Sequence, residues 1–142
     1  MKKIFFLSII AIVITSCTPL ITDFIRTSDV TWSTVQLREN IDFDEAWNQV
    51  IDVLAKQFEM EMISKEGAYA RTGWIYTWNT KGTYSANYRN RVIIKFSPDR
   101  TKVEIKTEAQ LGSVGQWQNG FDTRLLQTVK QDIMGVVGRT TR

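Results

Sequence analysis

The most prominent candidate site residues are aromatic and lie in one stretch of the sequence. Residues 69–91 contain six tyrosine and tryptophan residues interleaved with basic residues. They are Tyr69, Trp74, Tyr76, Trp78, Tyr84 and Tyr88, with Arg71, Lys81, Arg89 and Arg91. Aromatic rings stack on sugar rings and peptide groups, and arginine forks pair with carboxylates. The candidate ligand or partner surface is therefore Trp74, Tyr76, Trp78, Arg89 and Arg91, with Trp117 further along the chain.

The same aromatic residues could instead form a core, and the parity of the strands distinguishes the two cases. Alternation over residues 84–96 divides the side chains between two faces. One face has Tyr84, Ala86, Tyr88, Val92, Ile94 and Phe96, and the other has Arg89, Arg91 and Lys95. A hairpin loop of odd length, 79–83, would put Trp74, Tyr76 and Trp78 on the aliphatic face. An even loop, 79–82, would put them beside the arginines. The odd loop gathers the apolar groups together, so we favour the core arrangement.

Catalytic and metal chemistry find little support in the sequence. Histidine is absent, which excludes the commonest acid–base group and metal ligand, and a single cysteine excludes an intramolecular disulfide. Asp42, Asp44 and Glu45 cluster where a helix is predicted to begin, and carboxylates there favour the positive end of the helix dipole. We therefore predict that the protein is not an enzyme and binds no cofactor or metal. A paired-carboxylate hydrolase that uses Asp42, Asp44 and Glu45 is the alternative.

The charge of the chain gives no support for a nucleic-acid partner. The sequence has 18 basic and 15 acidic residues, for a net charge of +3. Lys2 and Lys3 contribute two of those charges, and both lie in the N-terminal leader described next. The remainder is nearly balanced, whereas binding to nucleic acid needs a sustained positive face.

The first 17 residues have the pattern of an export signal. Lys2 and Lys3 precede an apolar run from Ile4 to Ile14, which is too short to span a bilayer and has the length of a signal-peptide core. The tetrapeptide that follows, Ile14-Thr15-Ser16-Cys17, resembles the lipobox of bacterial lipoproteins. The resemblance implies that residues 1–16 are a removed signal peptide and that Cys17 is acylated. An ordinary signal peptide with an incidental cysteine is the alternative.

Residues 17–30 would then form a lipidated tether. The residue after Cys17 is Thr18 and not aspartate, which by resemblance to the lipoprotein sorting scheme implies the outer membrane. No acidic cluster follows, so we expect anchorage on the periplasmic face. Two or three acyl chains, at about 0.8 kcal/mol per buried methylene, would make that anchorage effectively permanent.

The elements predicted after the tether belong to a single domain, 31–138, followed by a frayed tail, 139–142. Two amphipathic helices are expected, one over 43–58 capped by Asp42 and one that starts at Asp122 and ends near Gly138. Strands are expected over 31–37, 69–78, 84–96 and 103–111, with a short alternating strand over 59–62 and a loop over 112–120 that holds Trp117.

This order, β-α-β-β-β-β-α, predicts an α+β fold. It would be a two-layer sandwich in which an antiparallel meander carries both helices on one face and leaves the other open. The order resembles the helix-grip domains of a lipoprotein component of the outer-membrane β-barrel assembly machinery. That family carries two such domains where this chain has one, so the resemblance is an analogy of fold.

These observations predict an outer-membrane-anchored periplasmic lipoprotein that acts without catalysis. We expect it to dock another envelope protein. A module that binds glycan or peptidoglycan fragments through the aromatic and arginine side chains is the alternative.

Overall fold

The structure is a computed structural model that describes residues 23–76 and 87–139. This part of the chain contains nine elements: β1 (Phe24–Arg26), β2 (Ser33–Gln36), α1 (Phe43–Ala55), β3 (Met60–Ser64), β4 (Tyr69–Thr72), β5 (Tyr88–Phe96), β6 (Lys102–Leu111), β7 (Gln118–Asp122) and α2 (Thr123–Val137). The predicted signal peptide, Cys17, Trp78 and residues 140–142 lie outside the described residues.

All described strands join one antiparallel sheet in the order β1-β7-β6-β5-β4-β3, and β2 pairs with β6. The centre is the long β5–β6 pair, in register from Tyr88 opposite Leu111 to Phe96 opposite Val103. β2 pairs with the start of β6 and β7 with its end, so these two short strands follow one another along the same edge.

Both helices begin where the sequence predicts. Asp42 Oδ1 accepts the Glu45 backbone N–H at 2.7 Å, and Asp122 Oδ1 accepts the Leu125 N–H at 2.7 Å. Each cap satisfies a donor that the first helical turn leaves without a partner.

The core lies on one face of the sheet, under both helices. Trp47, Val50 and Leu54 of α1 and Leu125, Val129 and Ile133 of α2 pack against the inward residues of β5 and β6, which are Val92, Ile94, Phe96, Val103 and Ile105. The alternation predicted for these two strands is therefore confirmed, as is the α+β class with both helices on one face. We call the other sheet face, which the helices do not cover, the open face.

The predicted order omitted two strands. Phe24–Arg26, which we assigned to the tether, pairs with β7, so the sheet begins before Thr31. Gln118–Gly120, which we assigned to a loop, pairs with the end of β6. Both strands are short and lack a repeated apolar alternation, so only their pairing partners define them.

The predicted frayed tail also needs correction at its first residue. Arg139 donates its backbone N–H to the Gln36 oxygen at 3.0 Å, and its side chain pairs with Glu39 at 2.5 Å. The chain is therefore attached to β2 one residue beyond the expected end of the domain.

Candidate functional site

The position of the aromatic residues is decided by an irregularity between β4 and β5. Arg71 lies opposite Ile93, but Ile75, four residues later, lies opposite Asn90, only three residues earlier. The Val92 N–H donates to the Thr72 hydroxyl at 2.9 Å where a regular ladder would offer it a backbone carbonyl. One extra residue is thus accommodated around Gly73 and Trp74, as in a β-bulge.

This bulge reverses the parity on which we based the favoured core arrangement. Thr72 and Ile75 both face the helices, so Trp74 and Tyr76 face the opposite way, towards Arg89 and Arg91. The core placement of Trp74 and Tyr76 is therefore wrong, and the alternative beside the arginines is the observed one. The bulge shifts the register by one residue before the hairpin, and Trp78 and the hairpin loop lie outside the described residues.

Arg89 is the centre of the site. Its Cζ lies over the Trp74 ring, 4.6 Å from the centroid, and over the Trp117 ring at 4.5 Å. Its Nε donates to Gln110 Oε1 at 2.8 Å, and its Nη1 donates to the Tyr76 hydroxyl at 3.1 Å. We call these five residues the Arg89 cluster. Cation–π contacts and hydrogen bonds from several elements hold the guanidinium group in one place.

Trp117 reaches this cluster because the β6–β7 connection folds back tightly. Gly112, at φ +136°, adopts a conformation that favours glycine, and a Cβ there would lie 2.4 Å from the Gln116 oxygen. The Gly112 N–H also donates to the Asn87 oxygen at 2.8 Å, which ties the connection to the start of β5. Trp117 therefore closes one side of the Arg89 cluster.

Arg91 belongs to a second group on the same face, in which cations and carboxylates alternate. Its Nη2 lies 2.7 Å from Glu108, and Lys106 contacts the other oxygen of that carboxylate at 3.0 Å. Glu61 receives Arg71 at 3.0 Å and lies 3.9 Å from Arg91. Burial alone would raise the pKa of Glu108, but the hydrogen bonds from Lys106 and Arg91 outweigh it and hold that pKa below its ordinary value.

A groove of about 240 Å³ runs along the open face beside these groups. The sheet side includes Trp74, Arg91, Lys106, Gln110 and Asn119, and the β1–β2 connection contributes Thr27, Ser28 and Val30. Gln110 links the groove to the Arg89 cluster, because it accepts from Arg89 and donates to Asn119 Oδ1 at 2.8 Å. The volume is below the range of about 300–1,000 Å³ that is typical of small-molecule sites.

The acidic cluster at the start of α1 has structural partners. Asp42 caps the helix, Asp44 pairs with Lys65 at 3.1 Å, and Glu45 pairs with Arg38 at 3.0 Å. These contacts account for the three carboxylates that a hydrolase hypothesis would use. Within residues 23–76 and 87–139, the structure also contains no group of three acidic, cysteine or histidine residues that could hold a metal ion.

A buried polar pair lies on the helix side of the sheet, away from the open face. The Tyr88 hydroxyl donates to Asp122 Oδ2, and both side chains are almost fully buried. Burial is the largest cause that raises the pKa of Asp122, and it also raises the pKa of Tyr88 far above its ordinary value. The pair fastens the start of α2 to β5.

The structure thus brings five predicted site residues to one face and adds others that we did not predict. Trp74, Tyr76, Arg89, Arg91 and Trp117 gather there, and Gln110, Glu108 and Glu61 join them through hydrogen bonds and ion pairs. Gln110 continues the alternation of Lys102, Glu104, Lys106 and Glu108, so this pattern in the sequence could have placed it on the same face. The Thr72-Gly73 pair within a strand was the available signal for the bulge.

The sequence matches no protein-family model and no curated protein. No helix among the described residues is long and apolar enough to cross a membrane. The function therefore has to be argued from the chemistry of the site.

Proposed function

We propose that the protein is a lipid-anchored, non-catalytic interaction module of the bacterial envelope, which docks another envelope protein on the open face of its sheet. The observation that carries the proposal is the gathering of Trp74, Tyr76, Arg89, Arg91 and Trp117 on that face. Tryptophan, tyrosine and arginine are the residue types that dominate binding energy at protein interfaces.

The shape of the site supports a protein partner over a small molecule. The groove is small and polar and lies on the open face, so it suits one or two side chains of a larger partner. The aromatic side chains are half-buried and held by their neighbours, which lowers the entropic cost of binding.

The location rests on the N-terminal sequence. The resemblance of Ile14-Thr15-Ser16-Cys17 to a lipobox supports an acylated Cys17, and Thr18 supports the outer membrane, on its periplasmic face. Six residues lie between the acylated cysteine and Phe24, where the first described strand begins. At about 3.5 Å per residue, that is a reach of about 20 Å, so partners would be membrane proteins or proteins close to the membrane.

Site-specific photocrosslinking in Gram-negative cells tests the proposal. A photoreactive residue replaces Thr34, which lies on the open face of β2, and in a matched control it replaces Gln131, which is exposed on α2. We expect the open-face probe to crosslink one or a few envelope proteins and the helix-side probe to give none of them. Equal patterns from both positions, or no adduct from either, would contradict the proposal.

Binding of glycan or peptidoglycan fragments is the second candidate, because three aromatic side chains share the open face with arginines. Guanidinium groups of Arg89 and Arg91 already lie 4.6 and 4.4 Å from the Trp74 centroid, which leaves less ring surface for a sugar. Tryptophan fluorescence titrated with purified muropeptides tests this candidate. A saturable change that Trp74→Ala abolishes would favour it over protein docking.

A further inference from the structure

Arg89 differs from the other two arginines of the open face in its partners. Arg71 pairs with Glu61 and Arg91 pairs with Glu108. Arg89 instead donates to two neutral groups, and no carboxylate within residues 23–76 and 87–139 lies at ion-pair distance from it. Its charge is therefore left without a counter-charge from that part of the chain.

The Arg89 guanidinium is also held ready for a ligand. Two indole rings lie within 4.6 Å of its Cζ, and two of its five N–H groups bond to Gln110 and Tyr76. The described part of the chain leaves the other three N–H groups for a ligand, in the planar arrangement that matches a carboxylate. A guanidinium that is already oriented loses little side-chain entropy when it binds one.

The charge around the cluster selects the same kind of ligand. The open face of β3–β6 has more basic than acidic residues: Arg71, Arg89, Arg91, Lys95, Lys102 and Lys106 against Glu61, Glu104 and Glu108. On the opposite side of the molecule, α1 contains three acidic residues and no basic one. A partner that approaches the open face therefore gains from being acidic.

We propose that the Arg89 cluster binds a side-chain carboxylate from an acidic, extended segment of the partner protein. This inference rests on the proposed function and specifies the chemistry of its partner. The carboxylate accepts from the remaining Arg89 N–H groups, and the neighbouring groove takes the adjoining residue of the segment. The Arg89 guanidinium orients the bound carboxylate, while the surrounding cations attract the acidic segment from a distance.

Titration of the purified domain with hexaglutamate tests this inference, with tryptophan fluorescence and calorimetry as readouts. Arg89→Gln and Lys95→Gln remove the same charge from the same face of the same strand, but Lys95 is exposed and lies outside the cluster. We expect the first change to weaken binding at least about tenfold, as for the loss of a charge-assisted hydrogen bond, and the second less than about twofold.

Two further measurements distinguish the effect of the planar guanidinium geometry of Arg89 from the effect of its charge. Arg89→Lys retains the charge but lacks the planar fork, so we expect it to bind hexaglutamate nearly as weakly as Arg89→Gln. A single-stranded oligonucleotide of equal charge should bind more weakly than hexaglutamate and respond equally to the Arg89 and Lys95 changes. Circular dichroism establishes that each variant is folded before its affinity is compared.

Several results would overturn the inference. They are an absence of hexaglutamate binding to the wild-type domain, equal losses in Arg89→Gln and Lys95→Gln, or full binding by Arg89→Lys. Self-association of the domain that Arg89→Gln abolishes would assign the site to a second copy of the chain instead. If open-face crosslinks persist while hexaglutamate fails to bind, the docking function stands and only the carboxylate assignment falls.

Discussion

At the scale of single residues, the hydrogen bonds that Asp122 accepts favour its charged form, whereas its burial disfavours that form. Asp122 caps α2 by accepting the Leu125 N–H and it accepts the Tyr88 hydroxyl, yet only 2% of its surface is exposed. Burial raises the pKa of Asp122, so the folded state binds this proton more tightly than the unfolded chain does. The stability linked to that proton is complete below the ordinary pKa and is lost as pH rises through the folded pKa.

Asp122→Asn should therefore change the pH dependence of stability while keeping the cap. The amide oxygen can still accept the Leu125 N–H, and no charge has to be buried. We expect the free energy of unfolding of the variant, relative to wild type, to rise as pH increases above 3.8, by about 1.4 kcal/mol for each tenfold difference in proton affinity. Urea unfolding at a series of pH values measures this.

Asp122→Ala is the control, because it loses the cap as well as the charge. It should be less stable than Asp122→Asn by about 1–2 kcal/mol at every pH. If wild type and Asp122→Asn show parallel pH profiles, Asp122 does not titrate differently in the folded state.

Glu108 should affect the pH dependence of stability with the opposite sign to Asp122. Its pKa is lowered, because ion pairs with Arg91 and Lys106 outweigh burial, so its contribution is present above the ordinary pKa and is lost as pH falls through the folded value. Glu108→Gln should cost about 1 kcal/mol at neutral pH, and the difference from wild type should shrink in acid. A constant difference between pH 3 and pH 7 would show that the carboxylate charge is not the cause.

At the scale of elements, short irregular features decide how the open face is built. The bulge at Gly73 and Trp74 turns Trp74 and Tyr76 to the open face, and the tight β6–β7 connection places Trp117 against Arg89. The edge pair β1–β7 depends on a close approach of two backbones. A Cβ at Gly120 would lie 2.1 Å from the Ile25 oxygen and 2.7 Å from the Phe24 ring.

Gly120→Ala should therefore detach β1 from the sheet. Because the obstruction involves backbone as well as side-chain atoms, we expect a loss of about 1–3 kcal/mol in the free energy of unfolding. Hydrogen exchange should show that the Thr27 amide, which donates to the Asn119 oxygen at 3.2 Å, loses its protection.

Gly135→Ala is the matched control, since nothing lies within 4 Å of the added Cβ and the position is within α2. It should raise stability by about 0.5–1 kcal/mol through helix propensity. Equal effects of the two substitutions on stability would show that the close approach at Gly120 does not cause the expected loss.

At the scale of the whole molecule, the charge distribution and the proposed N-terminal anchor both suit docking close to the membrane. The open face has more basic than acidic residues while α1 is acidic, so an acidic partner is attracted more strongly to the open face than to α1. A short N-terminal connection to an acylated Cys17 would hold β1 near the membrane. The proposed docking function therefore depends on the anchor for position and on the open face for selection.

Cys17→Ser tests the anchor. The lipobox resemblance implies that the thiol is acylated and that cleavage of the leader requires the acylated residue. We expect incorporation of a fatty-acid analogue to disappear in Cys17→Ser and to persist in Thr18→Ser, while the fold stays intact because both helix stripes and the sheet lie beyond residue 23. Equal labelling of Cys17→Ser and wild type would refute the lipobox, and the outer-membrane assignment with it.

Much of the fold could be predicted from local sequence because its signals are local. Asp42 and Asp122 cap the helices as expected, since a cap needs only the first turn of its own helix. The strict alternation from Lys102 to Ala109 correctly identifies one buried and one open face, since period two is a property of a single strand. The absence of histidine also limits the available chemistry without any knowledge of the fold.

The candidate site was decided by tertiary structure. Alternation in the sequence predicts which face a side chain occupies only where the strand pairing is regular. The one-residue shift around Gly73 and Trp74 arises where Thr72 binds β5 through its side chain. The strands β1 and β7 exist through their pairing with each other and with β6. Sequence alone therefore determined which residues could form a binding surface, while pairing between distant segments decided that Trp74 and Tyr76 join Arg89 on the open face and do not enter the core.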